Sequence, residues 1–445
     1  MTSGDPGRHQ APDLDAAVAS ATVDPGNLGG FPRRAWQVLG ATASPLVGVA
    51  TRCARDPRTA GVLGAGPRVA TFLARSHRRS AGAGTDDSVV PVRPTPLLAL
   101  QALVDEVLIA LFHHPDLVPG PGDFAPAAAD LRHTRDLFFA KGWLERPERY
   151  HRDPPVPDDV AVTRERTLDL TYDHLTFASG WEPDPAEVGR ERWLAHEANR
   201  AVHAWVSSPP EDGGSWLVCV HGFGMGSSGF MDLRAFRAPQ LRRQGIGVVV
   251  PVLPLHGPRA SGRVRGEDLM TIDLVDSMHG VAQAVWDVRR VVAWLRATRG
   301  ATRVGLLGYS FGGLVASLVA SLEDDLAFVV AGIPVVDLPE LFRRHSRPHT
   351  ARLAEASGVL GPVADDVHRV VSPLAMTCRV PRGHRYIFAG LADRMSTFGQ
   401  ARRLWLHWDR PELVAYAGGH VGFFWSKDAR RMVDEAVTRW LVPSR

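Results

Sequence analysis

Cysteine is nearly absent from this 445-residue chain: Cys53, Cys219 and Cys378 are its three, an odd number with no metal-ligand spacing among them. That argues against a disulfide framework or a structural zinc site and points to a reducing, cytoplasmic setting. Lysine is scarcer still, with Lys141 and Lys427 alone, so the 51 basic side chains are almost all arginine, set against 48 acids. A net charge of +3 creates no broad positive field, and no nucleic-acid partner is expected. No basic segment followed directly by an apolar one opens the sequence, so an ordinary signal peptide is not expected. Arg33-Arg34 ahead of the uncharged stretch 35–51 loosely resembles a twin-arginine export signal, but it lies far from the start and carries Pro45. The uncharged run from Val304 to Leu322 has nearly the length of a membrane span, yet its four glycines and polar centre argue against insertion.

What is present divides the chain in three. Residues 1–30 are small, polar and rich in Pro and Gly, and read as a disordered tail. Residues 31–160 read as a helical extension. Its first part, Arg33 to Arg79, holds nine arginines against the single acid Asp56. Peripheral membrane contact through this basic region is one reading; helices packed on the main domain are favoured, with Pro45, Pro57 and Pro67 interrupting any long amphipathic helix. Leu100, Leu103, Val104, Val107, Leu108 and Leu111 then follow helical spacing and predict one buried face, with Asp105 and Glu106 preventing a bilayer span. A second helix is expected near Ala127 to Lys141, stopped by Gly142.

From about residue 161 to 445, apolar runs alternate with helical patterns, the signature of a layered α/β domain with a mostly parallel central sheet flanked by helices. Strands are expected at 175–178, 201–206, 216–220, 247–252, 304–307, 326–333, 386–389 and 413–416, and helices at 231–244, 274–299 and 428–441. The segment of about 339–382 is too long for a plain connection and reads as a helical lid. At the centre lies Gly308-Tyr309-Ser310-Phe311-Gly312 between an apolar run and a helical repeat. A G-x-S-x-G turn of this kind holds its serine in a strained conformation, with glycine two residues either side because the strand and helix pass too close for side chains.

Ligands of a parallel sheet collect at the carboxyl ends of its strands. There this chain places HGFGMG from His221 to Gly226, Ser310 at the elbow, LADR ending in Asp393-Arg394, and GGH ending in His420. On these four motifs, the chain from about Thr167 onward resembles an α/β-hydrolase. The resemblance implies a Ser310, Asp393, His420 triad, with Asp337 as reserve acid, and an oxyanion hole from the N–H of Phe311 with that of Phe223 or Gly224. It further implies a carboxylic ester hydrolase, with thioesters or amides as related substrates, working without metal or organic cofactor. His221 is read as a brace for the oxyanion turn. Where the family commonly has a D-x-x-G-x-G-x-S turn this chain has Leu253-Pro254-Leu255-His256-Gly257-Pro258-Arg259. Met225, His256, Phe423 and Phe424 are candidate substrate contacts, and the aromatics near the motifs suggest an apolar acyl or alkyl group. An acyltransferase on the same triad, or a non-catalytic binding protein on a hydrolase scaffold, are the alternatives.

Overall fold

The computed structural model describes residues 57–80, 92–112, 119–209, 214–262 and 266–442. The expected tail, the basic stretch before residue 57 and Cys53 lie outside them. A nine-stranded sheet runs through the molecule in the order β1-β2-β3-β5-β4-β6-β7-β8-β9. Its strands are β1 (Ala161–Thr167), β2 (Leu170–Ala178), β3 (Ala201–Ser207), β4 (Ser215–Val220), β5 (Gly247–Pro251), β6 (Arg303–Tyr309), β7 (Phe328–Gly332), β8 (Arg385–Gly390) and β9 (Glu412–Tyr416). The pairs β1/β2, β2/β3 and β3/β5 are antiparallel, and every later pair is parallel.

The continuous apolar runs mark the central strands because helices cover both faces of a parallel sheet. Along β4, Trp216, Val218 and Val220 enter the core on one face while Leu217 and Cys219 enter the core on the other. The helices Leu274–Thr298 and Phe311–Leu322 pack on the first face, and Lys427–Leu441 on the second. Strand β1, reading AVTRERT, is exposed along nearly its whole length. Its charges protect the sheet edge from further pairing, and no apolar alternation announces it.

Among the described residues three helices precede the sheet: α1 (Pro57–Ser80), α2 (Pro96–Phe112) and α3 (Phe124–Ala140). Three expectations are corrected here. Pro67 does not interrupt α1, which continues through it for 24 residues; the roughly 3 kcal/mol cost of an interior proline is offset by close packing on α2, where a Cβ on Gly61 would lie 2.7 Å from that of Ala110. In α2 the buried residues are Leu98, Ala102, Asp105, Glu106 and Ala110, while Leu100 and Leu103 are exposed. The helix has turned its acids inward. The expected helix 231–244 is also two helices, Gly229–Ala235 and Ala238–Arg243, broken where Arg237 takes a positive φ of 58° ahead of Pro239. Between β7 and β8 stand three helices, Leu338–His345, Pro348–Ser357 and Pro362–His368. Among the described residues no helix is long and apolar enough to cross a membrane.

Candidate active site

Ser310 sits between β6 and the helix Phe311–Leu322 with φ +58° and ψ −117°. Backbone of this shape is rare for a residue with a side chain and persists only where its surroundings hold it. Here the Ser310 N–H donates to the Gly332 carbonyl at 2.9 Å, and its own carbonyl accepts from Gly313 and Leu314. The flanking glycines are obligatory. A Cβ on Gly308 would stand 2.1 Å from the Gly312 carbonyl oxygen, and one on Gly312 would stand 2.1 Å from the Val220 oxygen. Strand β4 therefore passes directly against the elbow, and the turn that follows it, Gly222-Phe223-Gly224, reaches the serine: a Cβ on Gly222 would lie 3.3 Å from that of Ser310. Phe311 opens the helix, whose first turn has N–H groups without intrahelical acceptors.

At the ends of β8 and β9, His420 Nδ1 donates to Asp393 Oδ2 at 2.7 Å, and both side chains are buried. The other carboxylate oxygen, Oδ1, accepts from the N–H groups of Met395 and Ser396 at 2.8 and 2.9 Å. The Ser396 hydroxyl donates to the Ile333 carbonyl at 2.7 Å and lies 3.3 Å from both Asp393 Oδ2 and His420 Nδ1. Burial disfavours a charged imidazole, but the Asp393 and Asp105 carboxylates outweigh it, and the His420 pKa is raised above its ordinary 6.5. Among the described residues no hydrogen bond joins the Ser310 hydroxyl to His420. Ser310 and Ser396 line one cavity, however, and Ser396 contacts the imidazole, so the histidine lies just behind the cavity wall.

Asp337 stands elsewhere. Its Oδ1 accepts from the Glu340 N–H at 2.9 Å, capping the helix Leu338–His345, and Oδ2 pairs with Arg403. His221 is fully buried, donating from Nδ1 to the Gly222 carbonyl and accepting the Leu253 N–H at Nε2. Burial drops its pKa to about 4, so it is a neutral link between the Gly222-Phe223-Gly224 turn and the segment after β5. That segment is closed on itself by Arg259, which donates to the Val252 and Asn199 carbonyls and pairs with Asp287 at 2.8 Å, all out of solvent.

The cavity at Ser310 measures about 190 Å³. Its wall is mostly apolar: Phe112 from α2, Phe223, Ile272 before the long helix and Leu274 at its start, and Leu341, Phe342 and Leu360 from the helical insertion. The candidate substrate contacts fall outside this lining. His256 is fully buried, ring-to-ring with Phe223 at 5.5 Å, Phe423 packs in the core on Tyr309 and Phe388, Met225 packs on the core of that same sheet face, and Phe424 is 40% exposed. Aromatic residues follow strand ends whether they face the cavity or the core, and spacing alone does not separate the two. Among the described residues no three His, Cys, Asp or Glu side chains are grouped to hold a metal ion.

A mostly parallel sheet with a strained serine directly after its central strand β6, and a buried acid–histidine pair at its last two strand ends, is the α/β-hydrolase architecture. Residues 217–445 match the Alpha/beta hydrolase family, and the chain belongs to it. An uncharacterised protein of Mycobacterium tuberculosis (strain CDC 1551 / Oshkosh) is 39% identical over 390 residues, 86% of this chain and 91% of the relative. Another from strain ATCC 25618 / H37Rv is 38% identical over 390 residues, with the same shares covered. Among solved structures, acetyl xylan esterase 1 from Thermoanaerobacterium sp. JW/SL YS485 is 14% identical, with TM-score 0.48 over 67% of this chain and 93% of that one. The acylaminoacyl peptidase of Pyrococcus horikoshii is 14% identical, with TM-score 0.41 over 65% of this chain and 42% of that one.

Proposed function

We propose that the chain is a serine hydrolase that cleaves a carboxylic ester with an apolar acyl group through an acyl-enzyme. The observation that carries this reading is the 2.7 Å His420–Asp393 pair behind a cavity into which a strained elbow presents Ser310. Ser310 Oγ attacks the acyl carbon while its proton passes to His420 Nε2; the carbon–oxygen bond to the alcohol then breaks, and the alcohol leaves with that proton. Water repeats the sequence on the acyl-enzyme, releasing the acid and restoring the serine. Asp393 holds the imidazole in the tautomer with Nδ1 protonated and stabilises its charged form. The N–H of Phe311 with that of Phe223 or Gly224 receives the oxyanion, each such donor being worth about 2.7–4 kcal/mol in the transition state.

The cavity, smaller than the roughly 300–1,000 Å³ of drug-sized sites, suits a short acyl chain, with the helical insertion covering it. Cys219 and Cys378 are both free thiols, which supports action in a reducing compartment such as the cytoplasm. Turnover of p-nitrophenyl esters of graded chain length tests the reading. Hydrolysis with a maximum at short apolar acyl groups is expected; no hydrolysis of any member, or acyl transfer to added alcohol with none to water, contradicts it.

A further inference from the structure

Helix α2 lies outside the residues that match the family, yet it touches the histidine, acid and oxyanion loops of the site. Asp105, with no exposed surface, accepts at Oδ2 from the N–H of His420 at 2.7 Å and from the N–H of Arg394 at 3.0 Å. One turn earlier, Gln101 Oε1 accepts the Gly419 N–H at 2.9 Å. Glu106 accepts from the Arg394 guanidinium at 3.0 Å and is paired on its other oxygen with Arg68 of α1. At the end of the helix, Phe112 packs edge-on against Phe223 at 5.2 Å and against Gly224. The histidine loop is shaped to receive this helix. A Cβ on Gly418 or Gly422 would stand 2.5 or 2.6 Å from Gln101 Oε1, and one on Gly419 would stand 2.8 Å from Asp105 Oδ2.

Building on the Ser310–His420–Asp393 reading, we propose that Asp105 is a positioning residue of the catalytic site, one carboxylate oxygen clamping the backbone of the histidine loop to that of the acid loop. His420 and Arg394 are the residue that bears the imidazole and the neighbour of Asp393, so the clamp fixes the two ends of the His420–Asp393 hydrogen bond from behind. Without it the two loops keep the bond from the Ala392 N–H to the Gly418 carbonyl at 2.9 Å and the His420–Asp393 side-chain pair, but the backbone of His420 itself is no longer tied to that of Arg394, and the imidazole is free to drift relative to the serine. Burial, followed by the charge of Asp393, raises the Asp105 pKa to about 7. The group therefore works as an acceptor in either ionisation state, and the acceptor is what the clamp requires.

The test compares Asp105→Asn, which keeps an acceptor oxygen, with Asp105→Leu, which keeps the shape and removes it, both in the full chain. The readouts are kcat and KM on the best p-nitrophenyl ester, the rate of labelling by a fluorophosphonate, and thermal melting. Asp105→Leu is expected to lower kcat and the labelling rate about 10- to 100-fold with KM within about threefold, the scale expected from a small displacement of a catalytic group. Asp105→Asn is expected to keep at least a third of kcat. The proposal is overturned if Asp105→Leu stays within about threefold of wild type in both rates, if its loss appears in KM alone, or if Asp105→Asn falls as far as Asp105→Leu. Should Asp105→Leu not fold, Asp105→Ala is read by the same outcomes; failure of both to fold assigns Asp105 to stability and also overturns it. Absence of any label on wild-type Ser310 refutes the underlying triad reading instead, and the two failures are thereby distinguished.

Discussion

Replacing Asp393 by asparagine keeps the shape of the side chain and changes what it offers to the imidazole. Two backbone N–H groups, those of Met395 and Ser396, donate to Oδ1 at 2.8 and 2.9 Å. They dictate that the amide oxygen of the Asp393→Asn side chain take that place, which leaves its NH₂ at the position of Oδ2, 2.7 Å from His420 Nδ1. An NH₂ group does not accept, so Nδ1 becomes the acceptor and the ring proton moves to Nε2. A protonated Nε2 has no lone pair for the serine proton. The loss expected for this inverted tautomer is on the order of 10⁴ in kcat, about 5.5 kcal/mol of transition-state stabilisation. Asp337→Asn is the control, because that side chain caps a helix and pairs with Arg403; asparagine caps as well as aspartate, so only the half-exposed ion pair is weakened, at about 0–1 kcal/mol of stability, with little change in activity. Steady-state hydrolysis of the best p-nitrophenyl ester measures both. The reasoning fails if Asp393→Asn keeps kcat within about tenfold of wild type, or if Asp337→Asn loses as much.

The raised pKa of His420 places the acidic limb of kcat/KM above pH 6.5, with activity rising as the imidazole loses its proton; a midpoint at or below 6.5 contradicts the assignment. Stability runs the other way, since a group whose pKa is raised on folding contributes most below its unfolded value and loses that contribution as pH rises through its folded one. Gly308→Ala forces a methyl to 2.1 Å from the Gly312 oxygen, whereas a Cβ on Gly383 meets nothing within 4 Å. The first is expected to lower kcat at least about 100-fold or to abolish folding and the second to be neutral, as read by turnover and thermal melting; equal behaviour refutes the steric account. Arg259→Leu leaves Asp287 buried without its partner and is expected to cost about 3–5 kcal/mol in denaturant unfolding, with Asp287→Leu added to it recovering part of the loss.

The elbow is legible in the sequence because its geometry is local: Gly308 and Gly312 are dictated by contacts within one strand-turn-helix and with β4. The strand ends bearing Asp393 and His420 are readable for a similar reason, since continuous apolar runs mark buried parallel strands and a short loop follows each. Helix α2 misleads. Leu100, Leu103, Val107 and Leu108 share helical spacing with one another, and periodicity assigns the buried face to them. The hydrogen-bond partners of Asp105, and the Arg394 partner of Glu106, come from the Arg394 and His420 loops, 288–315 residues away, and no local pattern reports them. Two acids in the middle of an apolar helix are the available signal. They read as a bar to membrane insertion, yet a buried acid pair also marks a polar site on a neighbouring element. Ser396 and Gln101 carry no signal of their own. Part of the cavity wall escapes a reading of the sequence for the same reason, as Phe112 reaches it from α2, remote in sequence from the motifs, whereas Phe342 lies in the segment read as a lid.

The central claim, that Ser310 is a nucleophile activated by His420, is tested most directly by treating the full chain with a fluorophosphonate and locating the adduct by peptide mass spectrometry. A single adduct on Ser310, absent in Ser310→Ala and formed at least about 100-fold more slowly in His420→Ala, is the predicted result. No adduct on a folded chain, or labelling of Ser310 at an unchanged rate without the histidine, contradicts it.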